Sequence, residues 1–331
     1  MRSSAALLLL LLCPGFCFGE AAEDPSVYPL IHFGQVLLAD PAKLELRRVG
    51  ELSPAAPAVA ADPEGLLWGR LEPRYLAAID PASGRLGARV ELPRKPYNHL
   101  ITSAGKAYVT HSALTKEGFT LSVVDTRRKV LLRELTGIAG LRTDLALAAG
   151  FVFLAAAGVG KEDSRHCYLY QIDEATDRIR EALHSPDTGF YWKLAAAGER
   201  LYIGWLPARD SSGSASFGRV EVRDARSLQL LRTWGEAPGP LRALYAAAGQ
   251  VLLCFADQKG NTDLLVLDPL LGAVLQARKL AGPVARVLGL RAGILTYLDR
   301  RFETGHTEVN VCFYELEPGR ELKRIAIGGK K

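Results

Sequence analysis

Six aspartates, Asp40, Asp80, Asp125, Asp173, Asp224 and Asp268, are each followed 25 residues later by a glycine: Gly65, Gly105, Gly150, Gly198, Gly249 and Gly293. The intervals from each glycine to the next aspartate are 15, 20, 23, 26 and 19 residues. One half of the unit is therefore held to length while the other is free. With 32 glycines in 331 residues, six such coincidences arise by chance on the order of once in a million. The chain is built from one unit repeated every 40 to 51 residues, and its fold must be an array of similar pieces.

Each unit reads as four short strands. An alternating run precedes the aspartate (Thr120–Val124, Cys167–Ile172, Leu264–Leu267), and a second follows it (Val130–Leu135, Leu228–Trp234). A third leads into the glycine ("HLITSAG", "DLALAAG", "WKLAAAG", "ALYAAAG", "VLGLRAG"), and a fourth leaves it ("KAYVTH", "FVFLAA", "RLYIGW", "QVLLCF", "ILTYLD"). No window sustains a helical period beyond about ten residues. Four antiparallel strands per unit predict an all-β chain folded as a β-propeller. Six complete units fit between Ala58 and Gly328, and residues 36–52 supply one further pair with "SVYPLIHF" ahead of it. The expectation is seven four-stranded blades with one incomplete; six blades plus an N-terminal hairpin is the alternative.

The repeated residues read as punctuation. Asp40-Pro41, Asp80-Pro81 and Asp268-Pro269 are turn text, with Asp accepting downstream backbone N–H groups and Pro supplying its fixed φ. Glu317-Pro318-Gly319 stands as the equivalent in the last unit. The glycines are expected at turns that need positive φ. With strands lettered A to D from the axis outward, Asp lies in the C–D turn and Gly in the A–B turn, which share one face. The D–A crossovers and the B–C loops share the other. All the length variation falls in the B–C loops, so that second face is where binding is expected.

The stretch "KAYVTHSALTKEGFTLSVVDTRRKVLLRELTG", with Tyr108-Val109-Thr110 and the following Val-Val-Asp strand and turn, resembles the YVTN-type, quinoprotein-like β-propeller repeat family. The similarity is strongest over residues 106–137 and extends weakly over 36–328. The resemblance implies a propeller and an extracytoplasmic address. Such repeats host many functions, so it implies no chemistry.

The address is also written at the start. Arg2, the apolar run Ala5–Leu12, "CPGFCFG" and then "EAAEDP" read as a signal peptide over residues 1–19, cleaved after Gly19. The run is short for a membrane span, leaving an uncleaved anchor as the alternative. Residues 20–331 are expected to form a single propeller domain, secreted or periplasmic, monomeric, with no integral membrane segment after cleavage. Beyond Cys13 and Cys17 in the leader, Cys167, Cys254 and Cys312 are odd in number and sit in apolar strands, which reads as buried small hydrophobes. No metal or cofactor is predicted. Removing Arg2 leaves 40 basic against 36 acidic residues, a scattered excess of four that does not make a nucleic-acid surface.

Residues entering strand A beside the axial channel are the candidate ligand site: Tyr97, Asn98 and His99; Arg142, Thr143 and Asp144; Tyr191, Trp192 and Lys193; Arg242; and Arg286. Cations with aromatics around one mouth suit an anionic or sugar-like ligand. His99 with Asp144 invites acid–base chemistry, but no nucleophile motif accompanies them, and no catalytic residue is assigned. The loop Leu206–Gly218 is a candidate lid or partner contact, and Asp257–Asp263 offers oxygen ligands that calcium uses elsewhere. The reading is an exported, non-catalytic propeller that binds a partner protein, glycan or envelope component through its D–A/B–C face. The alternative is a propeller enzyme, such as a lactonase or a cofactor-dependent dehydrogenase, acting at the channel mouth.

Overall fold

The structure is a computed structural model describing residues 27–52, 59–62, 64–71, 74–94, 96–103, 105–111, 119–140, 144–157, 166–185, 190–206, 219–234, 239–247, 249–257, 259–270, 272–303 and 306–330. Blade 1 holds β1 (Tyr28–His32), β2 (Gln35–Asp40) and β3 (Glu45–Glu51). Blade 2 holds β4 (Val59–Ala61), β5 (Leu67–Leu71), β6 (Tyr75–Ile79) and β7 (Leu86–Glu91). Blade 3 follows with β8 (Pro96–Ser103), β9 (Lys106–His111), β10 (Phe119–Asp125) and β11 (Val130–Ile138). Blade 4 has β12 (Asp144–Ala148), β13 (Phe151–Ala157), β14 (Cys167–Asp173) and β15 (Ile179–Ser185). Blade 5 has β16 (Phe190–Ala197), β17 (Arg200–Leu206), β18 (Arg219–Asp224) and β19 (Leu230–Trp234). Blade 6 has β20 (Leu241–Ala247), β21 (Gln250–Ala256), β22 (Thr262–Leu267) and β23 (Val274–Leu280). Blade 7 has β24 (Val284–Arg291), β25 (Ile294–Glu303), β26 (His306–Glu315) and β27 (Arg320–Lys330).

Six sheets are four-stranded meanders and the first is three-stranded, so the chain is a seven-bladed propeller with one short blade. Among the described residues there is no helix, and none long and apolar enough to cross a membrane. The called signal peptide, residues 1–19, lies outside the described residues.

The middle strands explain their own text. A strand buried on both faces reads as a continuous apolar run instead of an alternation, and β13, "FVFLAAA", is such a strand. Val152, Leu154 and Ala156 pack toward blade 3, while Phe153 and Ala155 pack toward blade 5. The same partition gives seven inter-blade cores, one for each neighbouring pair. The outermost strands show the alternating exposure of half-solvated sheet, as in β7 and β23.

Among the described residues the ring closes without a shared sheet. Blade 7 consists of the last four described strands and blade 1 of the first three, so no sheet joins the two ends. Instead Tyr28, Leu30, Leu37 and Ala39 pack on Val311 and Phe313. In direction and register β1 corresponds to strand B of the other blades. It is linked to β2 by a two-residue turn at Phe33-Gly34, whose φ values of 46 and 82 suit a type I′ hairpin. No strand pairs with its inner edge among the described residues. Pro29, which has no N–H to leave unpaired, stands on this edge strand.

The repeated aspartates are turn residues. Asp40, Asp80, Asp125, Asp173, Asp224 and Asp268 each accept backbone N–H groups two or three residues downstream, as from Ala82 to Asp80 at 2.9 Å and Arg128 to Asp125 at 2.7 Å. The fourth residue after each aspartate is left-handed: Leu44, Gly84, Lys129, Asp177, Leu228 and Gly272. Each recurring A–B glycine also has positive φ, between 59 and 86. The last unit needs a correction. Leu316 donates to the Gly293 carbonyl as Thr126 does to Gly105, and Gly319 is the left-handed residue, so Glu315 holds the aspartate position and not Glu317.

Those bonds also tie A–B turns to C–D turns, as do the Arg127–Glu64 and Arg226–Glu199 pairs, both at 3.1 Å. The two turn sets share one face, and the described strand ends that flank the B–C connections lie at the opposite end of each blade.

Candidate functional site

The A strands enter from the B–C face, and their first residues ring the axis. They are Ala-rich further along, at Ala146, Ala195, Ala196 and Ala246, because seven backbones converge there. At the entering end the strands are irregular: the register shifts between Pro96 and Leu100, Tyr191 and Lys193, Leu241 and Ala243, and Val284 and Arg286. A bulge re-aims the residues beside it, and here it decides which side chains face the axis. The result is a cavity of about 570 Å³ whose wall carries His99 from β8, Asp144 from β12, Lys193 from β16, Tyr245 from β20 and Arg286 from β24. Small and aliphatic residues make up the rest of the wall. Blade 1 contributes Pro29 and blade 2 Ala60.

Asp144 is a bridge between blades before it is anything else. Its Oδ2 accepts the Leu194 N–H at 2.9 Å and its Oδ1 accepts the Leu145 N–H at 3.1 Å. The same Oδ1 lies 3.6 Å from His99 Nδ1, beyond direct hydrogen-bond reach. Burial holds the His99 pKa below its ordinary value; Lys193 and Arg286 push the same way, and Asp144 opposes them. Arg286 is also lowered, by desolvation first, with Asp144 again opposing. Its side chain is reached by solvent, though protein surrounds it on the channel wall. At neutral pH the wall therefore presents an uncharged imidazole, one carboxylate committed to backbone donors, and two cations. This arrangement suits holding an anion. No serine, threonine or cysteine lines the cavity among the described residues.

Four of the sequence-predicted residues, His99, Asp144, Lys193 and Arg286, thus come together from four blades. Arg242 does not join them: it is the extra residue of the β20 bulge, exposed, and Ala243 takes the wall position in its place. Tyr97 and Asn98 lie in β8, and Tyr191 and Trp192 in β16, with side chains outside the described set. Arg142 and Thr143 lie outside the described residues, as do 207–218 of the candidate lid. Tyr245 was missed because "ALYAAAG" reads as packing text, and the tyrosine is the only polar-tipped side chain in it.

The oxygen cluster near Gly260 is a turn. Asp257 accepts the Lys259 and Asn261 N–H groups, and Lys279 Nζ sits 2.9 Å from its Oδ2, holding the carboxyl down at about 2. An ammonium already occupies the place a cation would take.

No family model and no curated protein matches the chain. Solved structures do, at the level of the fold. Hydrazine synthase of Kuenenia stuttgartiensis superposes with a TM-score of 0.59 at 14% identity, over 80% of this chain and 86% of that one. The Pan2 WD40 domain of Neurospora crassa gives 0.53 at 13%, over 80% and 78%. Dihydro-heme d1 dehydrogenase NirN, solved in complex with DHE, gives 0.53 at 13%, over 92% and 75%. At these identities the likeness is one of architecture, and the chain shares with all three a β-propeller.

Proposed function

We propose that this protein is an exported, non-catalytic binding propeller of the YVTN type, secreted or periplasmic, that recognises a partner protein or glycan through its D–A/B–C face. In this reading the axial mouth takes an acidic group of the partner. The observation that carries it is the convergence of Lys193 and Arg286 on one cavity. Asp144 there is occupied by the Leu194 and Leu145 N–H groups, and His99 is held toward its neutral form. Two cationic side chains meet there with one carboxylate that already accepts backbone N–H groups, in a partly desolvated wall where an anion is worth more than in open water. The His99–Asp144 approach is the one feature that favours acid–base chemistry, and its 3.6 Å separation and its bonded carboxylate speak against that use.

The test is a binding screen of purified protein against uronate-bearing and sulfated glycans, acidic peptides, and their neutral counterparts. Acidic probes should bind and neutral ones should not. Lys193→Ala with Arg286→Ala should weaken binding by roughly tenfold or more, as for loss of charge-assisted bonds. Binding that is unchanged in the double variant would remove the axial mouth from the mechanism.

A further inference from the structure

His166 and His184 lie 18 positions apart in sequence and carry no ligand spacing, yet the fold places them side by side. Tyr168 and His184 are directly opposite on β14 and β15. His166, two residues before Tyr168, projects to the same side of the strand. His184 Nε2 is 3.2 Å from His166 Nδ1, and Tyr168 Oη is 3.4 Å from that same nitrogen. The Tyr168 and His184 rings are parallel to within 5°, with centroids 4.7 Å apart. Beneath them Tyr168 stacks on Tyr170, whose hydroxyl accepts the Ala139 N–H at 2.8 Å from blade 3. The group is thus held from below by the core between blades 3 and 4 and opens outward, His184 being exposed. It sits where β14 begins, at the B–C end of the blade.

We propose that His166 and His184, with the Tyr168 phenol beside them, form a binding site for a divalent transition-metal ion of the zinc and copper class. Imidazole nitrogens at about 2.0–2.1 Å from such an ion stand roughly 2.9 Å apart at a right angle and 3.3 Å apart at the tetrahedral angle. The observed 3.2 Å falls between these, so one ion reaches both nitrogens with little side-chain movement. Imidazole is a ligand suited to zinc, copper and nickel and not to calcium or magnesium. Two nitrogens and a neighbouring phenol leave positions open to water. Among the described residues no cluster of three His, Cys, Asp or Glu completes the shell. The site is therefore an exchangeable surface site, on the same face as the axial mouth but on the outer strands β14 and β15 of blade 4. It does not depend on the function proposed above.

An N–H···N bond between neutral imidazoles gives a similar spacing, and the experiment separates the two. Metal-free, tag-free protein is titrated with zinc chloride by calorimetry. In parallel, the ring nitrogens of all histidines are followed by 15N NMR. One zinc should bind, shifting His166 Nδ1 and His184 Nε2 and leaving the His99 ring unchanged. His184→Ala, on an exposed outer strand, should keep the metal-free melting temperature and lose roughly tenfold or more in zinc affinity. His99→Ala should bind as wild type. If His184→Ala folds poorly, the NMR shifts on the wild-type protein still decide. Zinc binding that is equal in wild type and His184→Ala, or ring shifts confined to other histidines, would overturn the proposal.

Discussion

The ring of Tyr28 occupies the space in front of Gly289. A Cβ added there would stand 1.9 Å from Tyr28 Cε1 and Cζ. Tyr28 belongs to the first described strand and Gly289 to the inner strand of the last blade. Their contact is therefore part of the seam that closes the ring without a shared sheet. Gly289→Ala must push a fully buried tyrosine or shift β24, and overpacking of this kind costs about 1–3 kcal/mol. The expected outcome is a lower melting temperature for Gly289→Ala. Tyr28→Ala, which loses buried aromatic area, should cost about 3–5 kcal/mol. The double variant should fall short of the sum, because the alanine methyl enters space the ring has left. Full additivity would show that the two residues do not share the seam.

Lys129 is exposed and left-handed, with φ 60, at the place where three of the other blades use Gly84, Gly272 and Gly319. A non-glycine residue there carries about 1 kcal/mol of strain. Lys129→Gly should raise the stability by about 0.5–1 kcal/mol, read by denaturant midpoint at constant m-value. Asp224→Ala removes the acceptor for the Arg226 and Ser227 N–H groups and the Ser227 hydroxyl, and should cost about 1 kcal/mol.

His99 should titrate below its ordinary 6.5, because burial and the Lys193 and Arg286 charges disfavour the imidazolium. Its folded pKa is depressed, so the unfolded chain binds that proton more tightly. The corresponding stability is fully present above pH 6.5 and is lost as pH falls through the folded value. His99→Gln should flatten the loss of stability on acidification below that pH. Asp144→Asn should lower the His99 NMR midpoint further, since the carboxylate is the one neighbour that raises it. A midpoint that rises in Asp144→Asn would refute this account of the wall.

Cys254 and Cys312 are buried and free, and desolvation pushes both thiols up to about 12. Thiolate is the reactive form, so in the native protein at pH 8 both should resist a thiol reagent and react only on unfolding. Rapid native labelling of either would mean that its strand opens far more readily than the core around it.

The repeated unit was enough to infer a propeller and its two faces and to favour seven blades over six; the sheet order settled the count. Turn chemistry is local: Asp80 and Asp125 bond to residues two or three positions away. A local rule is written in adjacent letters. The short first blade was legible for the same reason, since "SVYPLIHF" and residues 36–52 hold three strands of text and no fourth.

The site was legible only in part. His99, Asp144, Lys193 and Arg286 could be picked by counting back from the glycines, but one bulged residue in β20 sends Arg242 outward and puts Ala243 on the wall. Side-chain direction along a strand alternates with period two, so a single inserted residue reverses it, and no count of letters reveals the insertion. The pairing of His166 with His184 and of Asp144 with the Leu194 N–H depends on strand register and on how neighbouring blades meet. Sequence alone determined the repeating unit, because its turns are short-range. Tertiary structure decided which side chains meet, because that is set by register and packing between residues far apart in the chain.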